Sequence, residues 1–207
     1  MSGTVVVTGT DTDVGKTVFA AALSAALGAY YWKPIQAGLD DGSDTLRVAT
    51  LSGIPGERLL GEAYCLATPC SPHRAAELDR TTIDPARLTP PDIRPLVIEG
   101  AGGALVPVTR DLLFADLFAR WGLPVVIVAR TALGTINHSL LTIEALRARN
   151  VPLLGVAFVG DAQEDSEATI ATLGQIRRLG RLPWLDRLAA EPLSKAFAAS
   201  FRIEDFL

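Results

Sequence analysis

Thr4-Val5-Val6-Val7-Thr8-Gly9-Thr10-Asp11-Thr12-Asp13-Val14-Gly15-Lys16-Thr17 is the stretch on which the fold turns. It opens as an apolar run without polar alternation, the pattern of a strand buried on both faces. A loop closed by Gly15-Lys16-Thr17 follows, and then the Ala-rich helix Val18 to Leu27. Strand, loop and helix in that order are the context a phosphate-binding loop requires. Backbone N–H groups of such a loop and of the helix start face phosphate oxygens, and the helix dipole favours their charge. Lys16 then reaches the β- and γ-phosphates, and the Thr17 hydroxyl ligates Mg²⁺. The loop departs from the common pattern once: Thr10 holds the usual first-glycine position, and Gly9 lies one place earlier.

Outward from this stretch, short apolar runs alternate with segments of helical period. Strands are predicted at Thr4 to Thr8, Ala29 to Lys33, Pro95 to Glu99, Pro124 to Ala129 and Pro152 to Val159, with a shorter one near Arg181-Leu182. Helices are predicted over Gly15 to Leu27, Asp44 to Ser52, Asp111 to Trp121, Thr135 to Arg149 and Asp165 to Leu179. The expected fold is therefore α/β: a P-loop NTPase-like, doubly wound, mainly parallel sheet with helices on both faces. Ligands belong at the carboxyl ends of its strands. Residues 53–95 hold seven prolines and break the rhythm, which reads as an insertion near the active site with short helices or a hairpin. The expectation is one domain over residues 1–207.

Composition narrows the class. The 207 residues are 49% hydrophobic and 20% charged with a net charge of −4, which excludes a disordered chain and a broad basic nucleic-acid surface. Cys65 and Cys70 make neither a disulfide framework nor a four-ligand zinc site, and His73 and His138 lie far apart. The first apolar run is too short for a signal peptide, and no run approaches a membrane span. A cytoplasmic protein with no membrane or nucleic-acid partner is expected.

Four further segments carry chemistry. Lys33 ends the second apolar run, in Tyr31-Trp32-Lys33-Pro34-Ile35-Gln36-Ala37-Gly38. A lone strand-end lysine is more often solvated than functional, but beside a phosphate loop it can stabilise charge on a transferred phosphoryl group. In Asp40-Asp41-Gly42-Ser43-Asp44, Ser43 or Asp44 reads as a helix cap, or a carboxylate joins Thr17 around Mg²⁺. Glu99 ends an apolar strand before the turn Gly100-Ala101-Gly102-Gly103, where a second metal-side carboxylate is expected. Gly134-Thr135-Ile136-Asn137 opens a helix after a buried strand, either a capped turn or a second anion site suited to a carboxylate.

Together these segments resemble the dethiobiotin synthetase family, along nearly the whole chain. The shared pieces are Gly9 to Thr17, Lys33-Pro34, Ser71-Pro72-His73, Glu99 to Gly103, Leu133 to His138 and Leu182 to Leu185. The resemblance implies an ATP- and Mg²⁺-dependent cyclo-ligase acting on 7,8-diaminopelargonate and CO₂. A carbamate takes the γ-phosphoryl group, and the second amine closes the ureido ring as phosphate leaves.

It also implies roles. Asp13, Val14, Gly15, Lys16, Thr17 and Val18 match the phosphate loop, and Lys33 the catalytic lysine. Thr12 matches a loop residue beside diamine and phosphate. Thr17, Asp44 and Glu99 match the magnesium ligands. Gly100, Ala101 and Gly102 approach the nucleotide. Gly134, Thr135, Ile136 and Asn137 match the helix start that takes the substrate carboxylate across a homodimer interface. Gly160-Asp161 and Pro183-Trp184-Leu185 match segments around the adenine.

Three positions depart from the family pattern: Ala37 replaces a frequent Ser or Thr near the substrate, Gly160-Asp161 replaces an Asn-Asp pair that reads adenine, and Ala132 replaces a lysine. The second opens the question of nucleotide preference. Two other readings compete. A partitioning or division-positioning ATPase usually carries an extra early loop lysine, which Thr10 to Val14 lack. A cobyrinate-amidation-like ligase needs a glutamine-hydrolysing part, for which 207 residues leave no room.

Overall fold

The computed structural model describes residues 3–40 and 42–207; Asp41 of the acidic loop lies outside the described residues. In chain order the strands are β1 (Thr4–Gly9), β2 (Tyr30–Trp32), β3 (Ile35–Ala37), β4 (Leu59–Leu60), β5 (Tyr64–Leu66), β6 (Leu96–Gly103), β7 (Pro107–Thr109), β8 (Leu112–Leu113), β9 (Val125–Arg130), β10 (Leu153–Val159) and β11 (Arg178–Leu182). The helices are α1 (Lys16–Leu27), α2 (Asp44–Ser52), α3 (Pro72–Leu78), α4 (Phe114–Trp121), α5 (Thr135–Arg147), α6 (Glu164–Leu173) and α7 (Ala190–Ser200). Seven strands form one sheet in the order β11-β10-β9-β1-β6-β2-β4, and every pairing in it is parallel.

The apolar runs explain the layers. Successive side chains of a strand point to opposite faces, so a run with no polar alternation buries both. Val5, Val7, Tyr31, Val97, Val126 and Val128 pack on one face with α1, α2 and α7. Val6, Trp32, Ile98, Ile127 and Phe158 pack on the other with α3, α4, α5 and α6. The doubly wound fold is thus as expected, and β1 is central, between β6 and β9. Ligands of such sheets bind beyond the carboxyl ends of the strands. Thr17, Lys33, Glu99 and the loops after β9, β10 and β11 all lie there.

On the α1 face, Phe19 is wholly buried, with ring centroids 5.8 Å from Phe197, 5.4 Å from Phe201 and 6.1 Å from Phe206. This aromatic knot ties the C-terminal segment to the helix that starts at the phosphate loop. Phe19→Leu keeps an apolar side chain but loses the ring contacts, and should cost about 1–2 kcal/mol. A fall in the denaturant midpoint at unchanged m-value checks this.

Several boundaries differ from expectation for local reasons. β6 does not end at Glu99 but runs on to Gly103, because Gly103 pairs with Gly9 and the glycines let the two backbones meet. The helix expected to reach Leu179 stops at Leu173; Gly174 caps it, and the Arg177 carbonyl accepts from Val156 N at 2.8 Å, drawing the chain into β11. Within 53–95 the described residues form two 3₁₀ turns, α3, and the short strands β4 and β5. Both strands pair in parallel, β4 on the edge of the main sheet and β5 with β3, so no hairpin forms there.

Candidate active site

The phosphate loop is built by backbone conformation. Gly15 caps α1 at φ 94°, and a Cβ there would lie 3.0 Å from Val159, so the position needs glycine twice over. Asp13 also adopts a positive φ of 55°. Lys16 is buried, and its ammonium donates to the Asp11 carbonyl at 2.8 Å, folded along the loop it serves. Burial pushes the Lys16 pKa down, Glu99 opposes this, Lys33 adds to it, and the net shift is downward. Thr12 and Asp13 are exposed at the loop tip, and the Thr12 hydroxyl lies 3.6 Å from where a Cβ of Gly102 would stand. The loop therefore faces the glycine segment Gly100-Ala101-Gly102.

Four predicted side chains meet beneath it. The Lys33 ammonium lies 2.6 Å from Asp44 Oδ2 and 3.2 Å from Glu99 Oε1, and donates to the Gly100 carbonyl at 3.3 Å. The Thr17 hydroxyl lies 2.8 Å from Glu99 Oε1 and 3.1 Å from Asp44 Oδ1. Burial alone would lower the Lys33 pKa, but the Glu99 and Asp44 carboxylates outweigh it and hold the ammonium above its ordinary value. For Asp44 burial acts upward, Lys33 and Thr17 act downward, and the net shift is down. These shifts favour the charged forms of Lys33 and Asp44, while burial works against the charge on Lys16.

The acidic loop resolves its two readings. Ser43 is the cap, its hydroxyl accepting from Leu46 N at 3.2 Å, and Asp44 is the first helical residue, free to face Lys33 and Thr17. Thr17, Asp44 and Glu99 present only hard oxygen donors, which suits Mg²⁺. Among the described residues no group of three or more His, Cys, Asp or Glu side chains is placed to hold a metal. Two carboxylates and a hydroxyl leave the rest of an octahedral shell to phosphate oxygens and water, so the donor set fits an ion that arrives with a nucleotide.

The other predicted segments line the same end of the sheet. Thr131 N donates to the Val159 carbonyl at 3.1 Å and Gly160 N to the Leu182 carbonyl at 2.9 Å, which joins the ends of β9, β10 and β11. That places Gly160, Asp161 and Pro183-Trp184-Leu185 in one strip. Trp184 is 68% exposed there, an indole face open to a planar ligand. Gly134 caps α5 at φ 93°; Gly134 and Asn137 are exposed, while the Thr135 hydroxyl is buried with no partner among the described residues. Ala37, in β3, is half-buried and adds no hydroxyl to the site. A separate hollow of about 600 Å³ at Thr4, Pro85, Arg94 and Trp121 lies at the start of β1, the opposite end of the sheet, and takes in none of these residues.

Two site residues escaped the sequence reading. The Gln36 amide accepts from Asp44 N at 3.0 Å and donates to the Gly38 carbonyl at 2.9 Å, so it fixes where α2 begins. Tyr31, wholly buried, donates its hydroxyl to Glu99 Oε2 at 2.9 Å. Burial, then Glu99 and Asp44, push the Tyr31 pKa well above its ordinary value, so the phenol stays a donor. Tyr31, a polar group inside a run read as buried, needs a partner, but the sequence does not say which; Gln36 lies beyond that run.

A family model described as AAA domain matches residues 3–192. The protein called ATP-dependent dethiobiotin synthetase BioD in Novosphingobium aromaticivorans is 69% identical over 201 residues, covering 97% of this chain and 98% of that one. The protein of the same name in Rhizorhabdus wittichii is 64% identical over 207 residues, covering 100% and 99%. Among solved structures, the MinD cell division protein of Aquifex aeolicus aligns with a TM-score of 0.52 at 16% identity, covering 98% of this chain and 94% of that one. A ParA family ATPase from Chlorobium tepidum aligns with a TM-score of 0.51 at 12% identity, covering 98% and 92%. At such identities the two structures speak for the fold alone.

Proposed function

From the premise that the chain belongs to the ATP-dependent dethiobiotin synthetase family, we propose how its residues close the ureido ring. The chain is an ATP-dependent ligase of dethiobiotin synthesis. Its substrates are read as 7,8-diaminopelargonate, CO₂ and ATP. One amine takes up CO₂ as a carbamate, and a carbamate oxygen displaces ADP from the γ-phosphorus. The second amine attacks the carbonyl carbon of that anhydride; the C–O bond to phosphate breaks, phosphate leaves and the amine gives up a proton.

The observation that carries this reading is the contact of Lys33 with both Asp44 and Glu99. It holds a cation at the ends of β2 and β6, next to the β1 loop that binds phosphates. From there Lys33 stabilises charge on the transferring phosphoryl group while Lys16 holds the triphosphate. Bound Mg²⁺ neutralises phosphate oxygens, and Thr17, Asp44 and Glu99 are the residues that hold it. Thr12 lies at the loop tip where diamine and phosphate meet. Gly160, Asp161 and Pro183 to Leu185 flank the base. No nucleophilic side chain is needed, since the substrate supplies both attacking groups.

The substrate carboxylate goes to the start of α5, at Gly134 to Asn137. Leu133, in the turn just before α5, is completely exposed, and Leu141 on α5 is 56% exposed. Two exposed leucines beside an anion-binding helix start support a homodimer that covers them. We read the whole chain as one domain and the cytoplasm as its place; of the 53–95 segment, Glu62 and Pro69 lie beside Thr45 and Gly38, whereas Pro85 and Arg94 lie at the opposite end of the sheet. No described helix is long and apolar enough to cross a membrane, and both cysteines are free.

Full-length identities of 69% and 64% to dethiobiotin synthetases set aside the switch-ATPase and cobyrinate-type readings. With Mg²⁺, ATP, bicarbonate and diaminopelargonate, the protein should release one phosphate per ureido product and little without the diamine. Equal phosphate release without diamine, and no ureido product by mass spectrometry, would sink the proposed reaction.

A further inference from the structure

Tyr31 takes no part in the chemistry above, yet it touches the one site carboxylate that is almost fully buried. Its place follows from register. Tyr31 stands opposite Val97 where β2 pairs with β6, so Glu99 is two residues further along the neighbouring strand and on the same face. Two residues of strand span about 6.6 Å, a length a tyrosine side chain reaches and shorter side chains do not. The hydroxyl meets Glu99 Oε2 at 2.9 Å, while Oε1 faces Thr17 at 2.8 Å and Lys33 at 3.2 Å. The two carboxylate oxygens therefore have different partners, one set facing the site and one the core.

We propose that Tyr31 is a positioning residue: by donating to Glu99 Oε2 it locks the rotation of the carboxylate, so that Oε1 alone is presented to the metal side of the site. The final torsion of a glutamate side chain is soft and roughly two-fold, so partners on both oxygens narrow it more than partners on one. Thr17 and Lys33 both hold Oε1, and Tyr31 adds a hold on the other oxygen. Tyr31 is the partner recorded on Oε2 among the described residues. This rests on the reading of Glu99 as a metal-side carboxylate. Partners that orient ligating groups are worth about 10–100-fold in metal affinity when removed.

Tyr31→Phe keeps the ring and removes only the hydroxyl. Mn²⁺ binding in the presence of ADP, followed by electron paramagnetic resonance, should weaken about tenfold, while ADP binding in chelator stays within about twofold of wild type. In a Glu99→Gln background the same change should alter Mn²⁺ affinity less than about threefold, because the two residues act as a unit. Wild-type Mn²⁺ affinity in Tyr31→Phe, with Glu99→Gln weakened, overturns the positioning role and leaves the Glu99 reading standing. Wild-type affinity in Glu99→Gln overturns the Glu99 reading itself. An undiminished Tyr31→Phe effect in the Gln background, or equal weakening of metal-free ADP binding, also overturns the proposal.

Discussion

Lys33→Ala is expected to lower kcat by about 10³-fold or more while the Kd for ATP moves less than about threefold. The split follows from position. In the proposed site Lys16 and the loop N–H groups hold the triphosphate, whereas Lys33 lies under the two carboxylates, 2.6 Å from Asp44 and 3.2 Å from Glu99. Removing it leaves a buried carboxylate facing a partly buried one. Breaking such a set by taking out one partner costs about 3–5 kcal/mol. At about 2–4 °C per kcal/mol for a chain of this size, the melting point should fall by roughly 6–20 °C. Assays therefore belong well below the new transition. Lys33→Arg is the companion variant: it retains the charge and most of the stability, but a planar fork does not reproduce a point cation. Its kcat should stay nearer to Lys33→Ala than to wild type. A Lys33→Ala enzyme turning over within tenfold of wild type would remove the catalytic assignment.

The parts of this site that were legible in the sequence are those whose meaning is local. The phosphate loop is one continuous segment, so strand, loop and helix could be read at once from Thr4 to Leu27. Lys33 and Glu99 announce themselves by ending apolar runs, and Asp44 by opening a helix, because charge at the end of a buried strand lies where ligands bind. Tyr31 and Gln36 act only through partners 68 and 8 residues away, and no local pattern reports such contacts. Among the elements, β4 and β5 were illegible because two or three residues cannot show a period. α7 was missed altogether; its buried residues Leu193 and Phe197 make sense only once Phe19, Phe201 and Phe206 surround them. The extension of β6 through Gly103 is tertiary in the same way, since glycine reads as a turn until its partner Gly9 is known.

Gly160→Asn installs the Asn-Asp pair that the family resemblance implies beside the adenine, and it should destabilise the protein. Gly160 adopts φ 130°, and a Cβ there would stand 2.4 Å from the Thr131 hydroxyl oxygen. The backbone cannot swing clear: Gly160 N donates to the Leu182 carbonyl at 2.9 Å, its own carbonyl accepts from Arg181 at 3.3 Å, and Thr131 N is tied to Val159 at 3.1 Å. Strain at such a φ and overpacking each cost about 1–3 kcal/mol, so the variant should lose about 2–5 kcal/mol. Its melting point should fall by roughly 5–15 °C. Because Leu182 precedes Pro183 and Trp184, the same strain should displace the strip proposed to flank the base, and discrimination of ATP from CTP and GTP should not improve.

Thr131→Ala alone should be mild, since the residue is only half-buried. In the double variant the nearest remaining Thr131 atoms, its Cβ and N, lie 3.6 Å from the new Cβ, an ordinary contact. About half of the lost stability should return, leaving the φ strain. A Gly160→Asn protein melting within about 2 °C of wild type would show the clash to be harmless. Purely additive effects in the double variant would deny that Thr131 causes it. Glycine at 160 and threonine at 131 are thus coupled in this chain: the threonine hydroxyl occupies the space a side chain at 160 would need.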